Sequence, residues 1–224
     1  MRRNHHINNA GAYTVETRKR CVAFHEAGHA AAIFLNNRKR EIPPHLFSLR
    51  FNIAGATANT DFKTAYEDYI ACIEGGRLLQ ALPSTLEGMQ HPPMETGHDW
   101  IQTADDLLNA FEADVINLLA GPLSEAKYIA ETDGEIFTHR LVDPPALLNY
   151  GGVFDLALVD DYLQSFSTAL DKRAQKLSQL HQVAFNFIND YHNWRAVSKL
   201  ARYILATSKD TICYEEVAAI VGGV

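Results

Sequence analysis

Cysteine is scarce in this chain, with three residues among 224. Cys21, Cys72 and Cys213 are odd in number and lie far apart, so they predict neither a disulfide framework nor a cysteine-based zinc site. Chains without disulfides suit a reducing compartment. We therefore expect a cytoplasmic protein.

Long apolar runs and a basic excess are also lacking. No run approaches the length of about 20 residues that spans a bilayer, and the N-terminus is polar, so we predict no membrane span and no signal peptide. Lys and Arg number 20 against 27 Asp and Glu, giving a net charge of −7, which argues against nucleic acid as a partner. The composition suits a single globular domain over 1–224, with a loose tail at 1–13.

One short segment carries most of the chemistry. Residues 25–29 read HEAGH, and residues four apart on a helix share a face, so His25 and His29 would bind one metal ion with Glu26 beside them. This is the H-E-x-x-H signature of zinc metallopeptidases. The surrounding positions 22–35 are otherwise apolar or small, which predicts a buried helix. The alternative is that the two histidines are exposed, or only hydrogen-bonded within the core.

The motif and three later segments resemble the peptidase domain of FtsH-type AAA proteases. The stretch LLAGPLSEA at residues 118–126 is similar to the family's glycine turn and following helix. The stretch GGVFDLALV at residues 151–159 is similar to the segment that carries its third zinc ligand. The resemblance covers, in order, 18–36, 115–130, 150–165 and 194–221. It implies one zinc ion per chain.

A catalytic zinc site has three protein ligands and one water. The resemblance implies that Asp155, at the start of a helix, is the third ligand, although an Asp there is also a natural helix cap. Glu125 is a rival ligand, a hydrogen-bond partner of a ligating histidine, or an ordinary surface residue. The gap from His29 to Asp155 is longer than is usual in the family, and the excess falls in 57–98 and 131–152.

The hydrophobic pattern predicts a mainly α (α+β) fold with a small β-sheet beside the H-E-x-x-H helix. Strict alternation over 47–53 predicts a strand. Leu49, Arg50 and Phe51 would lie on it, either as an open edge to which an extended substrate adds or as a purely structural strand. Helices are predicted over 14–36, 62–82, 100–120, 123–130, 154–188, 194–206 and the end of the chain. Residues 131–152 are predicted as loop, and His91 and His98 as exposed histidines of another loop.

These features predict a zinc metallopeptidase acting on extended or unfolded polypeptides, with Glu26 as general base. The FtsH family joins its peptidase to an ATPase and a membrane anchor. The 224 residues hold no GxxxxGK[ST] phosphate loop, so a separate ATPase or unfoldase would have to deliver folded substrates. The alternatives are a peptidase-derived binding or regulatory module, and a zinc hydrolase of non-peptide amides.

Overall fold

The computed structural model describes residues 15–51, 62–66, 69–82, 86 and 99–223. These ranges are mainly helical with a small antiparallel sheet, which confirms the coarse fold class. Among the described helices, none is long and apolar enough to cross a membrane.

The elements, in chain order, are α1 (Val15–Lys39), β1 (Phe47–Phe51), β2 (Phe62–Tyr66), β3 (Tyr69–Gly75), α2 (Ala104–Thr132), a 3₁₀ helix (Pro144–Asn149), α3 (Val153–Phe166), α4 (Leu170–Asn189), α5 (Tyr191–Ala206), β4 (Thr211–Cys213) and α6 (Tyr214–Val221).

Helix α1 is the central helix, buried on every side from Cys21 to Ile33. It continues past the predicted end at Asn36 because the amides of Asn36 and Asn37 hydrogen-bond within the protein rather than ending the helix. The helix ends where Glu41 adopts a left-handed φ of 58°, and the N–H of Ile42 donates back to the carbonyl of Asn37.

The sheet has the order β2-β3-β1-β4, and every pairing in it is antiparallel. The predicted strand at 47–53 is confirmed over Phe47–Phe51, while Ile53 lies outside the described residues. The predicted helix over 62–82 is wrong, because this segment forms β2 and β3. Leu49 of β1 faces Ile73 of β3 in the register, and both are fully buried, so tertiary pairing outweighs local helix propensity.

Strand β1 lies inside the sheet rather than at its edge. It pairs with β3 on one side and with β4 on the other, where Leu49 faces Ile212. The expectation that Leu49, Arg50 and Phe51 form an open edge for substrate is therefore wrong. The end of the chain, predicted to be helical, forms α6, and Cys213 is its N-cap in a capping box with Glu216. The residues just before the helix, Thr211–Cys213, also pair with β1 as strand β4.

Helix α2 runs without interruption through Gly121 and Pro122, where a break was predicted. Thr103 and Asp106 form a capping box at its start. A proline inside a helix costs about 3 kcal/mol. Here the surrounding residues 113–127 are all buried, and their packing outweighs that cost.

The single long helix predicted over 154–188 is two helices. Ser167 adopts an extended conformation after α3, and its carbonyl accepts a hydrogen bond from the Arg173 side chain in the first turn of α4. The next predicted helix, 194–206, is confirmed as part of α5. The segment 131–152, predicted as loop, contains the end of α2 and the 3₁₀ helix.

Asp114 of α2 ties three parts of the fold together. Its carboxylate accepts hydrogen bonds from the backbone N–H groups of Leu78 and Leu79 at 2.9 Å each, and from the Tyr162 hydroxyl of α3 at 2.7 Å. The chain after β3 and helix α3 are thereby both held against α2, and α3 is the helix that carries Asp155.

Burial raises the pKa of Asp114 to about 6, against the opposing effect of these hydrogen bonds. An unfolded Asp titrates near pH 4. The folded protein therefore holds this proton more tightly, and the stability that Asp114 contributes is fully present below about pH 4 and lost as the pH rises through about 6. Relative to Asp114→Asn, the unfolding free energy of the wild type should fall by about 3 kcal/mol between about pH 4 and pH 7. Urea denaturation of both proteins measures this difference, and a constant difference would contradict it.

Candidate metal centre

His25, His29 and Asp155 converge at the meeting of α1 and α3. The two imidazoles lie one turn apart on α1, with ring centroids 4.8 Å apart. Asp155 lies in the first turn of α3 and presents one carboxylate oxygen to each Nε2, at 3.2 Å in both cases. One donor atom from each of the three side chains lies within 4.8 Å of the others. The geometry thus gathers three potential ligands around one point.

The other ring nitrogens face fixed hydrogen-bond acceptors. Nδ1 of His25 lies 3.0 Å from Oε2 of Glu125, and Nδ1 of His29 lies 2.8 Å from the backbone carbonyl oxygen of Asn117. A carbonyl oxygen only accepts, so Nδ1 of His29 must donate. In a neutral imidazole this leaves the lone pair on Nε2, which faces Asp155. Such a partner behind each ligating histidine is typical of metal sites.

The electrostatics favour positive charge at this point. Burial by itself lowers the pKa of His25, but hydrogen bonds and charge interactions with Asp155 and Glu125 outweigh it and raise the pKa to about 10. Burial raises the pKa of Asp155, yet the two histidines lower it to about 2. A cation is thus stabilised among these groups, and a metal ion would displace a proton from His25 on binding.

The donor set fits zinc. Two imidazole nitrogens and one carboxylate oxygen form one of the usual ligand sets of catalytic zinc, with the fourth position open. Oδ1 of Asp155 is buried and lies 3.2 Å from Nε2 of His29, and no hydrogen bond meets it among the described residues. A buried carboxylate oxygen in that state favours a cation as its partner.

Glycines give the histidines their space. A Cβ on Gly121 of α2 would overlap the ring of His29, so His29 reaches the α2 backbone only because residue 121 has no side chain. A Cβ on Gly28 would lie 2.6 Å from the carbonyl of Ala120, so α1 and α2 can pack closely there.

Gly151 has a second constraint. It lies just before α3 with a φ of +70°, a conformation that favours glycine. A Cβ there would lie 2.8 Å from Oε2 of Glu125 and 3.0 Å from Nδ1 of His25. The turn that leads to Asp155 therefore packs directly on the pair formed by His25 and Glu125.

The predicted site residues separate into two groups. His25, His29, Asp155 and Glu125 lie together, with Asp155 on the Nε2 side of both histidines and Glu125 on the opposite side of His25. Glu26, next to His25 on α1, is fully buried. Leu49, Arg50 and Phe51 belong to β1 and are not part of the His25, His29 and Asp155 group; Arg50 pairs with Glu74 of β3.

Sequence reasoning missed Asn117 and assigned Gly121 only to a helix break. A glycine inside a helix also signals close approach of another group, and that signal was present in the sequence. His91 and His98, interpreted as exposed loop histidines, lie outside the described residues.

Comparisons with protein-family models, with curated proteins and with solved structures found no match to this chain. Its function is therefore inferred from the side chains of the centre and their geometry.

Elemental analysis of protein purified without chelators or a metal-affinity tag should find about one zinc per chain. Asp155→Ala should lose or weaken that zinc, because only two ligands remain. The matched control is Asp160→Ala, an exposed carboxylate on the same helix, which should retain zinc. Equal zinc in the wild type and Asp155→Ala would place the third ligand elsewhere, and no zinc even after its addition would contradict the metal centre.

Gly121→Ala should displace His29, because the added methyl group occupies the volume of the ring. We expect loss of zinc and destabilisation of about 1–3 kcal/mol, the usual range for an overpacked core. Zinc content and denaturant unfolding measure the two effects. Gly223→Ala is the control, since its Cβ would meet no atom closer than 3.5 Å. Wild-type zinc binding in Gly121→Ala would show that His29 does not need this space.

Proposed function

We propose that this chain is a zinc-dependent metallopeptidase that hydrolyses peptide bonds in extended or unfolded polypeptides. The observation that carries the proposal is the convergence of His25, His29 and Asp155, with both Nδ1 atoms facing hydrogen-bond acceptors. Three ligands held in this way leave a coordination position for reaction, as catalytic zinc sites do.

The roles of the side chains follow from their chemistry. His25, His29 and Asp155 would hold the metal ion, which when bound supplies a Lewis acid that polarises a carbonyl and acidifies water. Glu26 would accept the proton of the attacking water and transfer it to the leaving amine. Glu125 would keep Nδ1 of His25 protonated, so that Nε2 stays available for binding.

The resemblance to FtsH-type peptidase domains supports the same assignment. His25, Glu26, His29 and Asp155 all fall at the positions that the resemblance assigns to the zinc-binding and general-base residues, and Glu125 falls at the position of the family's helical glutamate. The proposal extends to a single peptidase domain in the cytoplasm, with a separate ATPase partner for folded substrates.

The sheet offers a candidate binding edge for an extended substrate. Strand β2 is at the end of the sheet order, paired with β3 on one side, and it contacts both α1 and α3. Within the described part of the chain, no strand pairs with its other side. An extended peptide that added there would run beside the helices that carry the three ligands.

One observation favours a second candidate function, a peptidase-derived binding or regulatory module. His25, Glu26 and His29 are 0% exposed and Asp155 is 1% exposed. A metal ion enclosed by them would stabilise the fold without reaching a substrate, whereas catalysis requires that the centre become accessible. The intact Glu26 favours catalysis, because a purely structural site has no need of a general base.

Glu26→Gln should retain zinc while hydrolysis of an unfolded fluorogenic protein falls by about 10²–10⁴-fold, the usual contribution of a general base. The control is Glu16→Gln, an exposed carboxylate on the same helix, which should keep full activity. Retained turnover in Glu26→Gln would refute its role. A zinc-loaded wild type that cleaves neither unfolded proteins nor peptides would support the binding module. Turnover restricted to non-peptide amides would instead support a zinc hydrolase of such amides.

A further inference from the structure

A seam of polar contacts joins α1 to α2. Arg40 pairs with Glu112 near the end of α1, Asn36 bonds Asn117 further along, and His25 faces Glu125 at the other end. Residue numbers fall along α1 as they rise along α2, so the two helices are antiparallel. The metal centre occupies one end of this seam.

Three asparagines lie in the middle of the seam, where the surrounding core is apolar. Nδ2 of Asn36 donates to Oδ1 of Asn117 at 3.2 Å, and Nδ2 of Asn117 donates to Oδ1 of Asn37 at 3.0 Å. Asn117 is fully buried, and the other two are almost fully buried. Both polar atoms of the Asn117 side chain are therefore held by α1.

The backbone of the same residue contacts the metal centre. The carbonyl oxygen of Asn117 accepts the hydrogen bond from Nδ1 of His29 at 2.8 Å. Positions 117, 121 and 125 are spaced by four along α2 and so share one face. This face presents the carbonyl that orients His29, the glycine that admits its ring, and the carboxylate behind His25.

We propose that the side-chain amide of Asn117, held by Asn36 and Asn37, is a positioning group that fixes the rotation and register of α2 and so holds Nδ1–H of His29 on the Asn117 carbonyl. The inference depends on the proposed function only in that His29 is taken to bind zinc. Neighbouring helix positions differ by about 100°, so a slip of one residue would turn this face away from both histidines. Apolar packing tolerates such slips, whereas paired buried amides specify one register.

A purely structural role would give a different result from a positioning role. Replacing all three amides by leucine leaves no amide unpaired, and apolar replacements of buried polar networks are often neutral or stabilising. Under the positioning role, the triple variant Asn36→Leu, Asn37→Leu, Asn117→Leu should fold while His29 loses its fixed orientation. Under a structural role alone, the free energy of unfolding of the triple variant would change while the orientation of the His29 ring stayed the same.

The test is the exchange rate of the His29 Nδ1 proton with water, measured by ¹⁵N–¹H NMR on the metal-free full chain. The wild type should show a protected proton, and the triple variant should exchange it at least about tenfold faster. Asn117→Ala, which leaves room for water beside Asn36 and Asn37, should also show faster exchange and serves if the triple variant does not fold. The control is Asn109→Leu, which breaks the bond to Arg40 at the far end of the seam and should leave His29 protected.

Equal exchange in the wild type and in whichever of these variants folds would overturn the inference, as would an unprotected His29 proton in the wild type. Because the measurement is made without metal, it is independent of the proposed function. If the amides protect the His29 proton but the chain binds no zinc, the positioning role is supported and the metallopeptidase is refuted. Zinc-dependent hydrolysis together with an unchanged exchange rate in the variants would support the metallopeptidase and refute the positioning role.

Discussion

The structure depends on one constraint, which is that His25, His29 and Asp155 are taken out of water together. Each would be costly to bury alone. Most of their buried polar atoms have a partner among these groups, Glu125 and the Asn117 carbonyl at 2.8–3.2 Å, and Oδ1 of Asp155, which has no hydrogen bond among the described residues, is left to face a cation. The arrangement stabilises positive charge at its centre, because the carboxylates of Asp155 and Glu125 face the imidazole nitrogens. The fold can therefore hold these groups only if three helices meet accurately at this point.

That accuracy comes from residues outside the group of His25, His29 and Asp155. Gly28 and Gly121 let α1 and α2 approach until an imidazole lies against a helix backbone. Asp114, two turns before Gly121 on α2, bonds Tyr162, two turns after Asp155 on α3. Helices α2 and α3 are thus fixed to each other at a distance from the centre as well as near it. Small residues provide the space and buried hydrogen bonds provide the register.

The placement of His25 and His29 together was readable from the sequence because it depends on residue type and short spacing. His25 and His29 are four apart, and that spacing alone places them side by side on α1. The glycines before Asp155 marked its turn. The path of the chain was less readable, because β3 depends on pairing with β1 and β2 on pairing with β3, and α2 passes Gly121 and Pro122 only because its surroundings are packed. Asn117 bonds His29 through its backbone carbonyl, a contact that no side-chain pattern reveals.

Under the proposed function, the interior position of β1 changes where a substrate would bind. A strand with neighbours on both sides cannot add a third without losing one, and β4, its partner on one side, is three residues long. The end strand β2 needs no such loss and lies against α1 and α3. Since His25, His29 and Asp155 on those helices are almost fully buried, a peptide on β2 would reach them only after the surrounding packing changed. The turn at Gly151 leads to Asp155 and packs on His25 and Glu125, so a movement of this turn that opened the group would also disturb the residues that would hold a metal ion.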